Sequence, residues 1–262
     1  LILLQKKEVT IATENSSNLT IFNFKRKNVE HIMLEWEKEL ATGYNDSIIK
    51  QLFDNVNINE VYFDYDILGA LYQVIMSEGN KSLKGSYFTP SSIIDDIISK
   101  YYKENDKILD PCCGSGQFLL RFAKHNKCFY NQLFGIDADK ICVRLTSINL
   151  LLCYDTADFT PHIYHLNTLQ DIDPNSIFDE YSFLYDTFDI VATNPPWGSV
   201  IDRYKYMAKF PQISSGESFS YFLVMSHLFA KDGGIVSFIL PESILNIHIH
   251  KDIRKYILEH FN

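Results

Sequence analysis

The sequence predicts an α/β fold, in which a mostly parallel β-sheet is covered by helices on both faces. After Gly85, short runs rich in β-branched and aromatic residues alternate with apolar segments of helical length. This alternation is typical of parallel strands joined by crossover helices. Hydrophobic residues make up 46% of the 262 residues, which is enough to bury a sizeable core.

Five strands and three helices are predicted in this part of the chain. The strands are expected at residues 107–110 (KILD), 132–137 (QLFGID), 162–166 (HIYHL), 188–193 (FDIVAT) and 234–240 (GIVSFIL). The helices are expected at residues 117–125, 140–152 and 218–230. The stretch KDGG (231–234) is expected to end the last of these helices and to turn into the fifth strand.

The first 84 residues lack this alternation and are predicted to form a mainly helical subdomain. Apolar residues recur at helical spacing in 29–40, 45–53 and 65–76. We therefore expect two parts, a helical subdomain over 1–84 and an α/β domain over 85–262.

Composition narrows the classes of function. The net charge is −9, from 24 Lys and Arg against 33 Asp and Glu, which argues against a broadly basic surface for nucleic acid but not against a local basic groove. No stretch approaches the length of a membrane span, and no basic leader precedes a cleavage site. The five cysteines lack metal-ligand spacing and predict reduced thiols in a cytoplasmic protein.

Ligands of parallel sheets bind outside the carboxyl ends of the strands, so the residues after each strand are the candidate site. The segment DPCCGSGQF, Asp110 to Phe118, follows the first predicted strand. Gly114 and Gly116 permit a tight turn and the close approach of a ligand. The acid ahead of the glycines suits an ammonium group or hydroxyls better than a pyrophosphate. A plain strand-to-helix turn is the alternative.

The next two strand ends add polar groups. Asp137 ends the second predicted strand, where an acid can accept hydrogen bonds from ribose hydroxyls. Helix capping is the alternative role, and Asp139 could fill it instead. After the third strand, Asn167 and Thr168 could bond the edge of an adenine while Leu169 packs against it.

The most unusual of these segments is NPPW, Asn194 to Trp197, after the fourth strand. Its prolines bar both helix and sheet pairing. The side-chain carbonyl of Asn194 and the main-chain carbonyl of Pro195 can both accept hydrogen bonds from one NH₂ group. Trp197 offers a surface on which a planar base can stack. Together the four strand ends predict an adenosine-like ligand beside a site for an amine.

In this order, GSYFTP (85–90), DPCCGSGQF, GID (135–137) and NPPW resemble the motifs of the N6-adenine DNA methyltransferases of the γ arrangement. The most similar variety is the modification subunit of type I restriction systems and the fused type IIG enzymes. LGALY (68–72) also resembles their L-G-x-x-Y helix. The resemblance covers roughly residues 65–245. It implies a Rossmann-like methyltransferase sheet with S-adenosylmethionine as cofactor.

Carried over residue by residue, the resemblance implies two sets of site residues. Thr89 would lie near the carboxylate of the cofactor's methionine part, and Asp137 would take the ribose hydroxyls. Asn167 stands where the family usually has Asp, but its carbonyl can still accept from the adenine amine. The implied cofactor-binding residues are Tyr87, Phe88, Thr89, Pro90, Asp110, Pro111, Cys112, Gly114, Ser115, Gly116, Phe118, Asp137, Ala138, Asn167 and Thr168. The implied catalytic residues are Asn194, Pro195, Pro196 and Trp197.

The implied reaction is methyl transfer to the N6 amine of an adenine in double-stranded DNA, within a restriction-modification or related defence system. Hydrogen bonds to Asn194 and Pro195 would localise the amine lone pair on nitrogen as it attacks. The base cannot be reached within a duplex, so it must be flipped out and stacked, here against Trp197. A specificity subunit and a restriction subunit or domain are the expected partners.

A basic and aromatic stretch follows the NPPW segment. Arg203, Lys205 and Lys209 alternate with aromatic residues there and are predicted to contact DNA, although an ordinary charged surface helix is the alternative. The segment SSG (214–216) is predicted to be a mobile loop that orders only on DNA. His248 and a second histidine two residues later lack further ligands at suitable spacing, so no metal site is expected.

Two other functions stay open at this stage. N-P-P-[YF] also occurs in methyltransferases that act on protein glutamine amides or on guanine N2 of ribosomal RNA, which are likewise planar NH₂ groups. A non-catalytic cofactor-binding subunit is the second alternative, and the intact NPPW argues against it. Because the chain begins with Leu1 and stops after the helix that follows the fifth strand, we expect a fragment without its C-terminal strands and target-recognition domain.

Overall fold

The structure, a computed structural model, describes residues 9–14, 20–40, 68–69, 72, 89–125, 128–176, 178–198 and 202–262. Its strands are β1 (Val9–Glu14), β2 (Thr20–Phe24), β3 (Ile108–Asp110), β4 (Leu133–Asp137), β5 (His162–His165), β6 (Phe188–Thr193) and β7 (Ala230–Phe238). Its helices, apart from short 3₁₀ turns, are α1 (Lys27–Leu40), α2 (Ser91–Tyr101), α3 (Gln117–Ala123), α4 (Lys140–Cys153), α5 (Arg203–Tyr206), α6 (Ser218–Phe229) and α7 (Lys251–His260).

The central sheet has five parallel strands in the order β5-β4-β3-β6-β7. The predicted α/β fold is therefore confirmed, and all five predicted strands are present with bounds shifted by a few residues at most, apart from the earlier start of β7. From β3 the chain winds outward through β4 to β5, and it then returns to the other side of β3 to form β6 and β7. The sheet thus has a topological switch point between β3 and β6.

Each face of the sheet carries its own hydrophobic core. On one face, side chains of α2, α3 and α4, such as Ile94, Phe122 and Leu151, pack with those of α1. On the other face, residues of α6 and α7, such as Tyr221 and Ile253, pack beneath β6. Helix α2 is an element that the sequence reasoning missed, although its apolar positions lie on one helical face.

The predicted turn between the last two elements is present within β7. The helix before it ends at Phe229, and Ala230 still pairs with Phe188. The next register pairs join Ile190 to Ile235, so β6 advances by two residues (190 − 188) while β7 advances by five (235 − 230). The extra residues form the turn, and Gly233 adopts a left-handed φ of 73° in it.

The described N-terminal residues contain a hairpin that was not predicted. Strands β1 and β2 pair as an antiparallel hairpin, whereas a mainly helical subdomain was predicted. The sequence VTIATE carries several β-branched residues, which favour a strand, and we gave them too little weight. Helix α1 confirms the helix predicted at 29–40. The helix predicted at 45–53 lies outside the described residues.

Two reciprocal caps fasten α1 to the α/β domain. The buried guanidinium of Arg26 donates to the main-chain carbonyls of Leu151, Tyr154 and Ala157 at the C-terminal end of α4. In return, the carboxylate of Asp158 accepts from the first main-chain N–H groups of α1, those of residues 27 and 28. Each helix end thereby satisfies backbone groups that have no partner within the helix.

No helix in the part of the chain that the structure describes is long and apolar enough to cross a membrane.

Candidate active site

The switch point brings two predicted motif loops to one edge of the sheet. Strands β3 and β6 are neighbours, with Ile108 paired to Ile190 and Leu109 to Val191. The DPCCGSGQF loop leaves the end of β3, and the NPPW segment leaves the end of β6. Because both strands run in the same direction, the two loops emerge side by side.

A buried hydrogen-bond chain joins the two loops at their base. Thr193 Oγ1 donates to Asp110 Oδ1 at 2.6 Å, and the Cys112 main-chain N–H donates to the same carboxylate oxygen at 3.2 Å. The Cys112 thiol lies 2.9 Å from Thr193 Oγ1. Because Thr193 donates its hydroxyl proton to Asp110, the Cys112 thiol is the donor to Thr193 Oγ1. Burial raises the pKa of Asp110 to about 7 and the pKa of Cys112 well above that of a free thiol.

The glycine loop is held from below by the second acid. Asp137 Oδ2 accepts from the Gly114 main-chain N–H at 2.8 Å, and Asp137 Oδ1 accepts from the Asp139 N–H at 2.8 Å. Asp139 caps α4 through its bond from Ile141 N, which confirms the capping role weighed for it. The Asp137 carboxylate thereby links the end of β4 to the loop after β3.

Helix α4 holds the same loop from its other side. Thr146 Oγ1 donates to the Gly114 carbonyl at 2.8 Å, and Asn149 Nδ2 donates to the Ser115 carbonyl at 3.0 Å. Gly116 begins α3 at φ 91°, and a Cβ there would lie 2.7 Å from Thr146 Cγ2. A Cβ at Gly114 would meet nothing within 4 Å, so the loop is packed on the protein side and open on the other.

Thr89, the threonine of the FTP motif, connects this loop to the NPPW segment. The amide of Gln117 bonds both main-chain groups of Thr89: Oε1 accepts from its N–H at 3.0 Å, and Nε2 donates to its carbonyl. The Thr89 hydroxyl accepts from Asn194 Nδ2 at 3.0 Å. Thr89 is itself buried, with 2% of its surface exposed.

The remaining NPPW residues are held by the elements around them. Trp197 Nε1 donates to the Ile239 carbonyl, just beyond β7, at 3.0 Å. The Pro196 carbonyl accepts from Ser218 Oγ, at the start of α6, at 2.6 Å. Pro195 is buried. The indole and the backbone of the segment are therefore anchored to two different elements.

Asn167 and Thr168, which were predicted to bond the edge of an adenine, form hydrogen bonds within the protein. Asn167 Oδ1 accepts from the main-chain N–H groups of Leu169 and Gln170, and so forms an Asx turn. Thr168 is buried and donates to the Pro111 carbonyl at 2.6 Å, which ties the loop after β5 to the loop after β3. Leu169 is also buried, within the core on the α6 side of the sheet.

The predicted basic and aromatic patch is only partly a surface. Lys209 Nζ donates to the Leu169 carbonyl at 2.6 Å, and burial lowers the pKa of Lys209. Tyr206 and Phe210 are buried in the core, so they cannot stack with DNA bases. Lys205 is exposed, and the side chain of Arg203 lies outside the described residues. Lys209 thus already has a partner within the protein, and its contact with DNA stays a prediction.

The prediction of a mobile SSG loop is also contradicted. Ser214 donates through its main-chain N–H and its hydroxyl to the Asp252 carboxylate. Ser215 is fully buried, and its carbonyl accepts from the hydroxyl of Tyr221.

His250, the second histidine of the pair noted in the sequence, is buried and packs against Phe219. Among the described residues, no group of three or more His, Cys, Asp or Glu could hold a metal ion.

The other predicted residues lie around this edge or in the core. Tyr87 and Phe88 are outside the described residues. Pro90 precedes α2, and Ala138 is an exposed residue just after β4. Phe118 is buried in the core beneath the glycine loop. Sequence reasoning assigned no role to Gln117, Thr193, Thr146 and Asn149, although Gln117 lies within the quoted DPCCGSGQF motif and Thr193 directly precedes NPPW.

The chemistry of the edge fits a ligand that carries a cation and hydroxyls. Asp110 is a carboxylate removed from water, and a nearby ammonium group would stabilise its charged form. Asp137 places a second carboxylate against the Gly114 turn, which has open space at its Cβ position. S-adenosylmethionine has an ammonium, a sulfonium and a ribose, so the residues present suit it.

Comparison with known proteins assigns the chain to a family. The family model for N-6 DNA Methylase matches residues 63–262. The type II methyltransferase M.VspI of Vibrio sp. (strain 343) is 23% identical over 256 residues, which are 94% of this chain and 59% of that protein. The methylase subunit of the type I restriction enzyme EcoEI of Escherichia coli is 25% identical over 83% of this chain and 46% of the subunit. The chain therefore spans less than two thirds of these relatives.

A solved structure has a similar fold. The type IIG restriction endonuclease BpuSI aligns with a TM-score of 0.59 and 22% identity, over 74% of this chain and 24% of that one. The similarity supports the α/β fold. The fold and the family that the motifs indicated are both confirmed.

Proposed function

We propose, on the premise that this chain belongs to the N-6 DNA methylase family, that it transfers the methyl group of S-adenosylmethionine to the N6 amine of an adenine flipped out of duplex DNA. The observation that carries the proposal is the Asn194 amide at the end of β6. Its Nδ2 end is bonded to Thr89 at 3.0 Å, so its other end, the carbonyl oxygen Oδ1, is the end that can accept a hydrogen bond. Oδ1 is shielded from bulk water, which strengthens a hydrogen bond formed there.

The acceptor matches the chemical problem that an adenine amine presents. The N6 lone pair is delocalised into the ring, which makes the amine a poor nucleophile. Hydrogen bonds from N6 to Asn194 Oδ1 and to the Pro195 carbonyl favour the form in which the lone pair is on nitrogen. Trp197, whose indole is anchored to Ile239, supplies a face for the flipped base.

The cofactor side uses the glycine loop and the two acids. S-adenosylmethionine, when bound, supplies an activated methyl group. In our proposal Asp110 faces its ammonium group, Asp137 its ribose hydroxyls, and Thr89 its carboxylate. Asn167 keeps the adenine contact, although its Oδ1 already accepts two main-chain bonds. The chain's contribution to rate is mainly alignment of the amine with the methyl carbon.

The partners and the setting follow from the proposed reaction. We infer duplex DNA as substrate, within a restriction-modification or related defence system, and reduced cytoplasmic surroundings for the thiols. The EcoEI relative is the methylase subunit of a type I restriction enzyme. By analogy, a specificity subunit or domain would choose the adenine, and a restriction subunit would act on unmodified DNA.

The test measures which base receives the methyl group. The protein is incubated with labelled S-adenosylmethionine and unmethylated DNA, and the digested nucleosides are separated. We expect label in N6-methyladenine. Label in protein or RNA, or cofactor binding without transfer, would instead support one of the alternative functions.

The matched control replaces the acceptor itself. Asn194→Ala is expected to reduce transfer by at least about 100-fold while it leaves the cofactor dissociation constant within about threefold, because the side chain acts on the amine rather than on the cofactor. Retained transfer would exclude the role proposed for Asn194.

A further inference from the structure

Gln117 has contacts in the candidate site that the mechanism above does not use. It directly follows the glycine loop and begins α3. Its side-chain amide accepts from the Thr89 N–H and donates to the Thr89 carbonyl. A single side chain thus holds both polar groups of one residue's main chain, and this residue is 28 positions away in sequence.

From Thr89 the contact continues to the proposed acceptor. The Thr89 hydroxyl accepts from Asn194 Nδ2, so the NH₂ end of the Asn194 amide faces Thr89. In the opposite orientation, Asn194 would present NH₂ to an incoming NH₂, and two donors would face each other. The bond to the Thr89 hydroxyl therefore holds the Asn194 side chain in an orientation in which it can act as an acceptor.

We propose that Gln117 is a positioning residue for methyl transfer: by holding the main chain of Thr89, it places the Thr89 hydroxyl so that Asn194 presents its carbonyl oxygen to the methyl-accepting amine. The inference rests on the proposed function. It also links the cofactor loop to the acceptor through Thr89, because Gln117 follows the glycine turn while Asn194 follows β6.

The chain contains a matched control for this role. Gln132 makes the same kind of clamp, accepting from the Phe129 N–H at 2.6 Å and donating to the Asp106 carbonyl at 2.8 Å. It is buried and lies just before β4, at the opposite edge of the sheet from the site. A change at Gln132 therefore removes similar bonds without touching Thr89 or Asn194.

The experiment compares the variants Gln117→Glu and Gln132→Glu of the protein. Each glutamate keeps an acceptor for the main-chain N–H and replaces the donor to the carbonyl with an oxygen. We expect Q117E to lower the single-turnover rate of adenine methylation by about tenfold or more at saturating cofactor, because a small displacement of the acceptor is costly. Both variants are expected to lose thermal stability, and Q132E is expected to keep its rate within about twofold.

A double-mutant cycle tests the route through Thr89. Thr89→Val removes the hydroxyl with little change of shape, and Thr89→Ser restores it. If Gln117 acts through that hydroxyl, Q117A and T89V together slow transfer no more than T89V alone, and T89S recovers most of the rate. Additive losses, an unchanged rate in Q117E, or an equal loss in Q132E would overturn the proposal.

A measurement without turnover separates this inference from the proposed function. In spectra of protein labelled with ¹⁵N-asparagine, the Asn194 side-chain NH₂ protons are expected to exchange faster and to shift in Q117E but not in Q132E. If the wild-type protein transfers no methyl group to adenine, the proposed function fails, and these spectra still test the contact. If transfer occurs but the spectra and the rate do not change, only the positioning role fails.

Discussion

Asp110 is a carboxyl group whose burial opposes its charged form. Its carboxylate is 2% exposed and accepts from Thr193 and from the Cys112 main chain, yet desolvation outweighs these bonds and raises its pKa to about 7. A buried acid of this kind destabilises the protein when it is charged. The same property prepares it for a cationic ligand, since an ammonium group beside it would restore the charged form.

This raised pKa predicts a pH dependence of stability. The pKa of Asp110 is about 7 in the folded chain and 3.8 when unfolded, so the folded state binds the extra proton between these values. The contribution of Asp110 to stability is therefore most favourable below pH 3.8, and it falls as the pH rises toward 7. Above pH 7 the loss is complete, at about 4 kcal/mol.

Asp110→Asn tests this dependence, because it removes the titration while keeping the shape. We expect the free energy of unfolding of D110N minus that of the wild type to grow from pH 5 to pH 8, as measured by urea denaturation without cofactor. Other titrating groups are common to both proteins and cancel in the difference. A difference that does not vary with pH would contradict the assignment.

At the scale of elements, the glycine turn before α3 depends on the packing of α4. The sequence indicated that Gly114 and Gly116 were needed, and the structure gives them different reasons. Gly114 leaves open space, whereas Gly116 lies against Thr146, which is fully buried and itself bonded to the Gly114 carbonyl. The loop after β3 and helix α4 are therefore packed as one unit.

Gly116→Ala is expected to destabilise the protein by about 2–4 kcal/mol, the sum of a left-handed backbone cost and an overpacking cost. The matched control is Gly233→Ala, at φ 73° with nothing within 4 Å of its Cβ, which should cost only about 1–2 kcal/mol. Chemical denaturation of both variants gives the comparison. Equal losses would mean that contact with Thr146 has no energetic weight.

At the scale of the whole molecule, two helix caps join α1 to the α/β domain. The residue before α1 caps the end of α4, and a residue after α4 caps the start of α1. Arg26, which is 4% exposed, donates to one main-chain carbonyl in the last turn of α4 and to two just beyond it. The carboxylate of Asp158 accepts from main-chain N–H groups in the first turn of α1. Tyr72, of the LGALY motif, adds a hydrogen bond to Asp139 at the start of α4. Both ends of α4 thus receive side chains from the N-terminal part of the chain.

Arg26→Ala is expected to lower the free energy of unfolding by about 2–4 kcal/mol, because one buried and two partly buried carbonyls lose a charged donor. Arg26→Lys should recover only part of this, since one ammonium cannot match the guanidinium fork. Lys255→Ala, at an exposed pair with Glu259, is the control and should change stability by less than about 1 kcal/mol. An Arg26→Ala loss as small as the control's would show that the caps do not hold the two parts together.

How much of the fold and of the site the sequence predicted depends on how far apart the interacting residues lie in the chain. Strand runs, helical spacing and the order of the motifs are local patterns, and they predicted the parallel sheet, the motif loops and the family. The hairpin of β1 and β2 was missed although its signal is also local, because its β-branched residues lie in a polar stretch. Helix α2, which follows the FTP motif directly, was also missed, although its apolar residues recur at helical spacing.

The sequence by itself determined which polar residues stand at the strand ends, since each is part of a local motif. Only the tertiary structure decided which of them face a ligand and which face one another. Thr168 bonds Pro111 across 57 residues and Lys209 bonds Leu169 across 40, whereas Thr89 reaches Gln117 across 28 and also bonds Asn194. Such hydrogen bonds leave no periodicity in the chain, because a polar side chain takes whichever partner the packed elements bring within about 3 Å.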